Sequence, residues 1–311
     1  MPKLIFAAAD PRPDRWTELF KRELGSAFDV AAWTDDGRVH GADYAVVWRP
    51  PAILFEREQG LKAIFNLGAG VDGLIGQPGL PAGVPVIRLE DAGMSAQMAE
   101  FVIHQVVEHT RGMGVYRQQQ RDGLWRAQRP VEREAWPIGI LGLGSIGTRV
   151  ARCLADLDYP VAGWVRTPRE QAGIEVFAGP EGLAPFLART RIVVNTLPLT
   201  AETQDIMNGT LFAALLPGAV VINVGRGDHL VDEDLVRAIT AGRVAAATLD
   251  VFRHEPLPPD HPFWKMPEIT LTPHVAARTL REETVRQIVA KVRALEAGEA
   301  VSGVVDLDRG Y

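Results

Sequence analysis

The sequence has a single cysteine, Cys153, among its 311 residues. No disulfide can close within the chain, and no cysteine-based metal site can form. That usage fits a reducing compartment. Long apolar runs are missing as well. The first, Leu4–Ala9, stops at Asp10. It is too short for a signal-peptide core or a membrane span, and no later run reaches spanning length. A soluble, cytoplasmic protein with no membrane contact is expected. Blocks of like charge are absent, and the formal net charge is −6. General binders of nucleic acid or anionic membranes usually carry a basic face, so neither is expected as a partner, although a local basic pocket is not excluded. There is no solenoid repeat and no low-complexity tract. Histidine and carboxylate spacings of a metal site are lacking, and no metal is expected.

What the chain does have is short apolar segments, spaced by helical or loop stretches. Hydrophobic residues make up 47% and charged residues 23%, as in globular proteins. The length allows two domains, each with its own core. Leu4–Ala9, Val30–Trp33, Tyr44–Trp48, Ala63–Leu67 and Val86–Leu89 form one series of candidate strands. Ile138–Leu143, Val161–Val165, Arg191–Leu197, Ala219–Val224, Ala245–Val251 and Ile269–Leu271 form a second. Their runs are continuous rather than alternating, which suits parallel strands covered on both faces. Strands alternating with helices predict an α/β protein with two doubly wound parallel sheets.

A helix is expected over Ser95–Arg111, with Met98, Phe101, Val102, Gln105 and Val106 on one face and Gln105 as its polar break. A final helix, Leu280–Ala297, places Val285, Ile288, Val289, Val292 and Leu295 on one face. Following the last strand of the second series, it is expected to return to the first domain. The expected division is therefore 1–100 with 275–311, and an inserted nucleotide-binding domain over 101–274.

Gly142-Leu143-Gly144-Ser145-Ile146-Gly147 is a G-x-G-x-x-G between a strand and a helix. The first glycine permits a tight turn, the second lets backbone approach a pyrophosphate, and the third packs helix on strand. The helix start, with Ser145 and Ile146, offers free N–H groups to an anion. About 20 residues on, an acid would bind the ribose hydroxyls of NAD. Eighteen residues past Gly147 stands Val165, followed by Arg166 and Thr167 rather than a carboxylate. A carboxylate would repel a 2′-phosphate, whereas guanidinium and hydroxyl groups bind one. NADP(H) is therefore expected in preference to NAD(H). Leu197 and Pro198, ending a strand of this domain, are candidates for touching the adenosine.

Three further stretches suggest catalysis. "INVGRGDHLVDEDL" sets Arg226 between glycines after a strand, so its guanidinium can fork onto the carboxylate and carbonyl of a 2-oxo acid. "LDVFRHEPLPPDHP" carries Glu255, and "TLTPHVAA" carries His274 just past a strand. A carboxylate beside a histidine favours the imidazolium, which can donate to a carbonyl oxygen. Trp48 could wall a substrate pocket, with core packing an equal alternative. His104 and His109 are expected to be packed or solvated on the linking helix. Cys153, Met94 and Met98 are expected in the core, and His229, His254 and His261 on the surface.

With these motifs in this order, the chain resembles the D-isomer-specific 2-hydroxyacid dehydrogenases over nearly its full length. The resemblance implies a Rossmann domain inserted in a flavodoxin-like substrate domain. It implies Arg226, Glu255 and His274 as catalytic residues and Asp250 as the acid near the nicotinamide carboxamide. "NLGAGVD" matches the loop that holds the substrate carboxylate, which assigns that role to the Ala69 and Gly70 amides. "VVWRPP", "LGAGVDGL", "RLEDAGM", "EPLPP" and the terminal "DRGY" resemble the glyoxylate/hydroxypyruvate reductase A branch, which prefers NADPH. Small 2-oxo acids are then the expected substrates. A homodimer is also implied, with the linking helix and Tyr116–Arg129 as its contact. Two alternatives stay open: a broader 2-ketoacid reductase, and a dinucleotide-sensing corepressor-like protein. Arg253 and His254 stand where many relatives carry another acid, and the sequence does not say what they change.

Overall fold

A computed structural model describes the chain apart from Ala9, Pro11, Val131 and residues 308–311. The terminal "DRGY" therefore lies outside the described residues. Two compact units are present, Met1–Gly93 with Thr279–Tyr311, and Met94–Arg278.

The first unit is a five-stranded parallel sheet. Its strands are β1 (Lys3–Ala8), β2 (Asp29–Ala32), β3 (Tyr44–Trp48), β4 (Ala63–Asn66) and β5 (Val86–Ile87). They lie in the order β2-β1-β3-β4-β5. This is the flavodoxin-like order 2-1-3-4-5. Continuous apolar runs follow from this placement, because both faces are covered. On one face, helix α1 (Pro13–Leu24) contributes Trp16, Phe20 and Leu24. The C-terminal helix α9 (Arg281–Glu296) contributes Val285, Ile288, Val289 and Val292 to the same cluster. On the other face, helix α2 (Ile53–Arg57) buries Leu54 and Phe55 beside Val71 and Leu74. The final helix thus completes the core of the first unit, as its apolar face suggested.

The second unit opens with α3 (Met94–Thr110) and α4 (Met113–Arg121). Its sheet has β6 (Ile138–Leu141), β7 (Val161–Val165), β8 (Glu175–Ala178), β9 (Ile192–Asn195), β10 (Ala219–Asn223), β11 (Val244–Leu249) and β12 (Ile269–Leu271). The order is β12-β11-β10-β9-β6-β7-β8, all parallel. Read from β8, this is the Rossmann order 3-2-1-4-5-6 with one more strand. The units divide before α3 rather than at the expected 100/101. That helix packs Met98, Val102 and Val106 on the second unit's core, beside Val150 and Leu154 of α5 (Ser145–Ala155). Gln105, the polar break, is buried and its Oε1 accepts a 3.1 Å hydrogen bond from Thr248 Oγ1 on β11.

Strand β8 was not foreseen. It is an edge strand, bonded to β7, and its burial pattern mixes exposed Glu175 with half-buried residues, so no continuous apolar run marks it. No helix among the described residues is long and apolar enough to cross a membrane.

Candidate active site

The functional candidates of the second unit lie at the carboxyl ends of its strands, and the strand order sets their sequence along the sheet. His274 follows β12, Asp250 and Glu255 follow β11, and Arg226 follows β10. Leu197 and Pro198 follow β9, the glycine turn follows β6, and Arg166 follows β7. The order of connection reverses between β9 and β6. In open α/β sheets, ligands bind at that end and at such a switch point.

Each fingerprint glycine can be judged by its surroundings. Gly142 has φ +88°, which favours glycine, and its N–H donates to the Trp164 carbonyl. A Cβ on Gly147 would stand 1.9 Å from the Gly142 oxygen, so no larger residue fits. Around Gly144 the opposite holds: nothing lies within 4 Å of where a Cβ would be. Gly144 is also the N-cap of α5, with Ser145 exposed and Ile146 half-buried in the first turn. A tight turn, an open approach and free helix N–H groups are what a pyrophosphate requires, so these residues fit a dinucleotide. Leu197 backs the turn, its Cδ2 lying 3.1 Å from the Cβ that Gly142 lacks, and Pro198 is exposed beside it.

Beyond β7 the chain emerges into solvent, so Arg166 and Thr167 are both exposed. Arg166 Nη1 donates to Glu202 Oε2 at 2.9 Å. No carboxylate ends the strand.

The Glu255–His274 pair is formed. His274 Nδ1 donates to the Glu255 carboxylate, 2.9 Å from Oε2 and 3.2 Å from Oε1. The proton the ring can exchange is then the one on Nε2. Glu255 Oε1 also accepts from the Phe252 N–H at 3.1 Å. His274 sits at φ +53°, uncommon for a residue with a Cβ. Asp250 holds that conformation. Its carbonyl accepts from the His274 N–H at 2.8 Å. Its carboxylate accepts from Thr272 Oγ1 at 2.6 Å, Val275 N–H at 2.8 Å and Ala276 N–H at 2.9 Å. Asp250 is 1% exposed, so its carboxylate is first of all the anchor of the histidine turn.

Arg226 is half-buried in the turn after β10, and its Nη1 donates to the Gly225 carbonyl at 2.8 Å. Gly227 beside it touches the other loop: a Cβ there would fall 1.9 Å from the carbonyl carbon of Phe252. Arg253 closes the same junction. Its guanidinium donates to the Leu230 carbonyl, 2.8 Å from Nε, and pairs with Asp205. Arg253 therefore ties the glutamate loop to the arginine turn.

In the first unit, Asn66 at the end of β4 is buried and donates to the carbonyls of Gly68 at 3.0 Å and Gly70 at 2.8 Å. The loop is thereby curled. In the described hydrogen bonds the Ala69 and Gly70 amides have no acceptor. The Trp48 ring lies over the loop, 2.3 Å from where a Gly68 Cβ would be, while also packing on the core.

A family model described as D-isomer specific 2-hydroxyacid dehydrogenase, NAD binding domain, matches residues 103–276. The chain belongs to the D-isomer-specific 2-hydroxyacid dehydrogenases. It is 48% identical over 302 residues, 96% of each chain, to a glyoxylate/hydroxypyruvate reductase A of Yersinia enterocolitica. A family member from Xanthobacter autotrophicus Py2, solved with NADPH and MES, superposes with a TM-score of 0.93 at 41% identity. That match covers 100% of this chain and 99% of the other. An NADPH-dependent glyoxylate/hydroxypyruvate reductase of Sinorhizobium meliloti, solved with NADP and sulfate, gives 0.92 at 34% identity. It covers 100% of both chains. The enzyme is thus an oxidoreductase with an NAD(P)-binding domain, and its resemblance to the reductase A branch stands.

Among the remaining histidines, His254 is exposed and His261 is half-buried, 3.3 Å from Asp232. His229 is the correction. Expected on the surface, it is 0% exposed. Its Nε2–H donates to the Pro198 carbonyl at 3.2 Å, which leaves Nδ1 as an acceptor. Nδ1 takes the Arg226 N–H at 3.1 Å and an Asn195 Nδ2–H at 2.8 Å. Asn195 and Asn223, both fully buried strand-end amides, complete the network at 2.9 Å. "IVVN" and "VVIN" held the available signal: an amide ending a fully apolar strand has no solvent to satisfy it.

Burial first, and the Arg226 charge after it, push the His229 imidazole down from 6.5 to about 4 against the opposing Pro198 carbonyl, Asp228 and the Arg226 backbone bond. Folded His229 is therefore neutral at neutral pH. Above pH 6.5 the stability it contributes is complete. As pH falls from there towards 4, only the unfolded chain takes up this proton, and stability is lost. The loss is expected to be about 3 kcal/mol across that window. Urea midpoints at pH 7 and pH 4.5 should fall further for the wild type than for His229→Gln, which lacks the titrating ring.

Proposed function

We propose that the enzyme reduces small 2-oxo acids, glyoxylate and hydroxypyruvate first, with NADPH preferred over NADH. The hydrogen-bonded Glu255–His274 pair, joined through the loop of residues 252 and 253 to the Arg226 turn, carries this reading. The names of the relatives support the substrate class. In this reading Met1–Gly93 with the C-terminal segment is the substrate domain, and Met94–Arg278 is the cofactor domain.

Bound NADPH supplies the hydride. The chain's own residues do the rest. The Ala69 and Gly70 amides bind the substrate carboxylate, and the Trp48 ring limits the size of what is bound. Arg226 forks onto the carboxylate and the carbonyl oxygen and draws electron density from the reacting carbon. His274 gives its Nε2 proton to that oxygen as charge develops there. Glu255 fixes the ring through Nδ1 and compensates the charge of the imidazolium. Asp250 anchors the histidine turn, and with cofactor bound it would be the acid near the nicotinamide carboxamide. Donors aimed at a developing oxyanion contribute roughly 3 kcal/mol each, and a positioned proton donor about 10²–10⁴-fold.

His274→Ala and Arg226→Ala are each expected to lower kcat/KM for glyoxylate by at least about 10²-fold while leaving NADPH binding within a few-fold. NADPH oxidation at 340 nm and fluorescence titration measure the two. Near-normal turnover in either variant removes its assigned role. No oxidation with any 2-oxo acid points instead to a nucleotide-sensing protein.

For the cofactor, Arg166 and Thr167 are the proposed holders of the 2′-phosphate, which would displace Glu202 from the guanidinium. A charge-assisted hydrogen bond is worth about 1.5–3 kcal/mol. Arg166→Ala should therefore raise the KM for NADPH roughly 10–100-fold and change that for NADH little. Equal changes for both cofactors would exclude this site.

We also propose a homodimer that uses Tyr116–Arg129. Helix α4 buries none of its residues, and Leu124 and Trp125 are exposed. Sedimentation velocity should find twice the chain mass for the wild type and a shift towards monomer for Trp125→Glu. A monomeric wild type refutes it.

A further inference from the structure

We infer that His229 is a positioning residue for Arg226: its neutral ring fixes the backbone of the arginine turn against the loop that follows β9. The inference rests on the 2-oxo acid reading, in which Arg226 grips the substrate.

Side chains hold both backbone polar groups of Arg226. Its N–H donates to His229 Nδ1 at 3.1 Å, and its carbonyl accepts from Asn223 Nδ2 at 3.0 Å. The guanidinium in turn bonds to the carbonyl of Gly225 within the same turn. The position of the fork is therefore set by where the backbone of residues 225–227 lies. Small residues make that backbone pliable. Gly225 and Gly227 flank the arginine, and a Cβ on Gly225 would come within 3.1 Å of His229 Nδ1. The ring thus packs directly on the turn as well as bonding to it.

Imidazole suits this place for a chemical reason. In the neutral ring one nitrogen donates and the other accepts, at opposite edges of a rigid plane. Nε2–H reaches Pro198 and Nδ1 receives Arg226, so one side chain ties the β9 loop to the β10 turn. Asn195 sets the same tautomer, because its Nδ2 can only donate to Nδ1 while its Oδ1 accepts from the Leu197 N–H. The groups facing the ring are Arg226 and Asp228 on its own turn, and Asn195 and the Pro198 carbonyl across from it. A cationic ring would place a second N–H against the Arg226 and Asn195 donors. A misplaced binding group can cost about 10²-fold in rate, which is how a residue that never touches substrate can govern turnover.

Two substitutions separate the halves of the tie. In His229→Gln the side-chain amide can reach Pro198 but offers no acceptor at the Nδ1 position. In His229→Asn the amide oxygen can take the Nδ1 position, and the link to Pro198 is lost. His229→Gln is expected to raise the KM for glyoxylate and lower kcat/KM roughly 10–100-fold, with the Kd for NADPH within twofold. His229→Asn should recover most of that loss. Thermal melts and circular dichroism confirm folding. If both variants keep wild-type kinetics, or if both lose kcat/KM equally in step with their melting temperatures, His229 is only a packing residue. A crystal structure of His229→Gln gives a readout independent of any substrate: the 225–227 backbone should move by about 0.5 Å or more. An unmoved turn overturns the inference. A wild type that reduces no 2-oxo acid refutes the functional reading, and the crystal structure still decides the positioning role.

Discussion

At Gly227 two loops meet so closely that a single added carbon would overlap the backbone of Phe252. That contact joins the turn bearing Arg226 to the loop bearing Glu255. A hydrogen-bonded circuit runs outward from it. Phe252 donates to Glu255, and Glu255 takes the His274 ring. The His274 backbone donates to Asp250, whose own N–H returns to the Asn223 carbonyl at the end of β10. Asn223 then donates to the carbonyl of Arg226. Loops are ordinarily the variable and mobile part of an α/β fold. Here the loops after three neighbouring strands constrain one another, so residues 226, 255 and 274 are held by one connected network rather than by separate loops.

Arg253 shows how a single side chain can change the character of such a junction. An acid at its position would have to remain solvated, because the nearby acceptors, the Leu230 and Asp228 carbonyls, would repel it. A guanidinium instead has five donors, all needing acceptors. Those two carbonyls and Asp205 supply them. The arginine therefore lies down across the turn and adds a second tie beside Gly227. The histidine needs no second acid from this loop, because Glu255 supplies its carboxylate.

Much of this was legible in the sequence, for physical reasons that differ from element to element. Continuous apolar runs marked ten of the eleven strands beyond β1, because strands of a covered parallel sheet have no wet face to encode. The exception, β8, has one: its pattern mixes exposed Glu175 with half-buried neighbours. The glycine fingerprint was readable because each glycine answers a local steric demand. The pairing of Glu255 with His274 was readable only through resemblance, since nothing in the spacing of nineteen residues brings the two together. His229 was misread for a related reason. A histidine in "GRGDHLVD" looks solvated by its neighbours in sequence, whereas its burial comes from Asn195 and Pro198, some thirty residues away. Polar residues buried by distant partners leave no periodic trace.

The neutral state of His229 has a cost and a return. Burying an imidazole beside a guanidinium suppresses its charge, and the fold forgoes any ion pair with it. In exchange the protein gains a bonding element whose donor and acceptor are fixed in opposite directions, on a ring that is fully buried. An anionic side chain in the same place would draw the Arg226 guanidinium onto itself, and a cationic one would need its own counterion. A hydroxyl or amide would have to choose which loop to hold. The buried neutral ring holds both loops through one donor and one acceptor, and adds no charge of its own to the turn that carries Arg226.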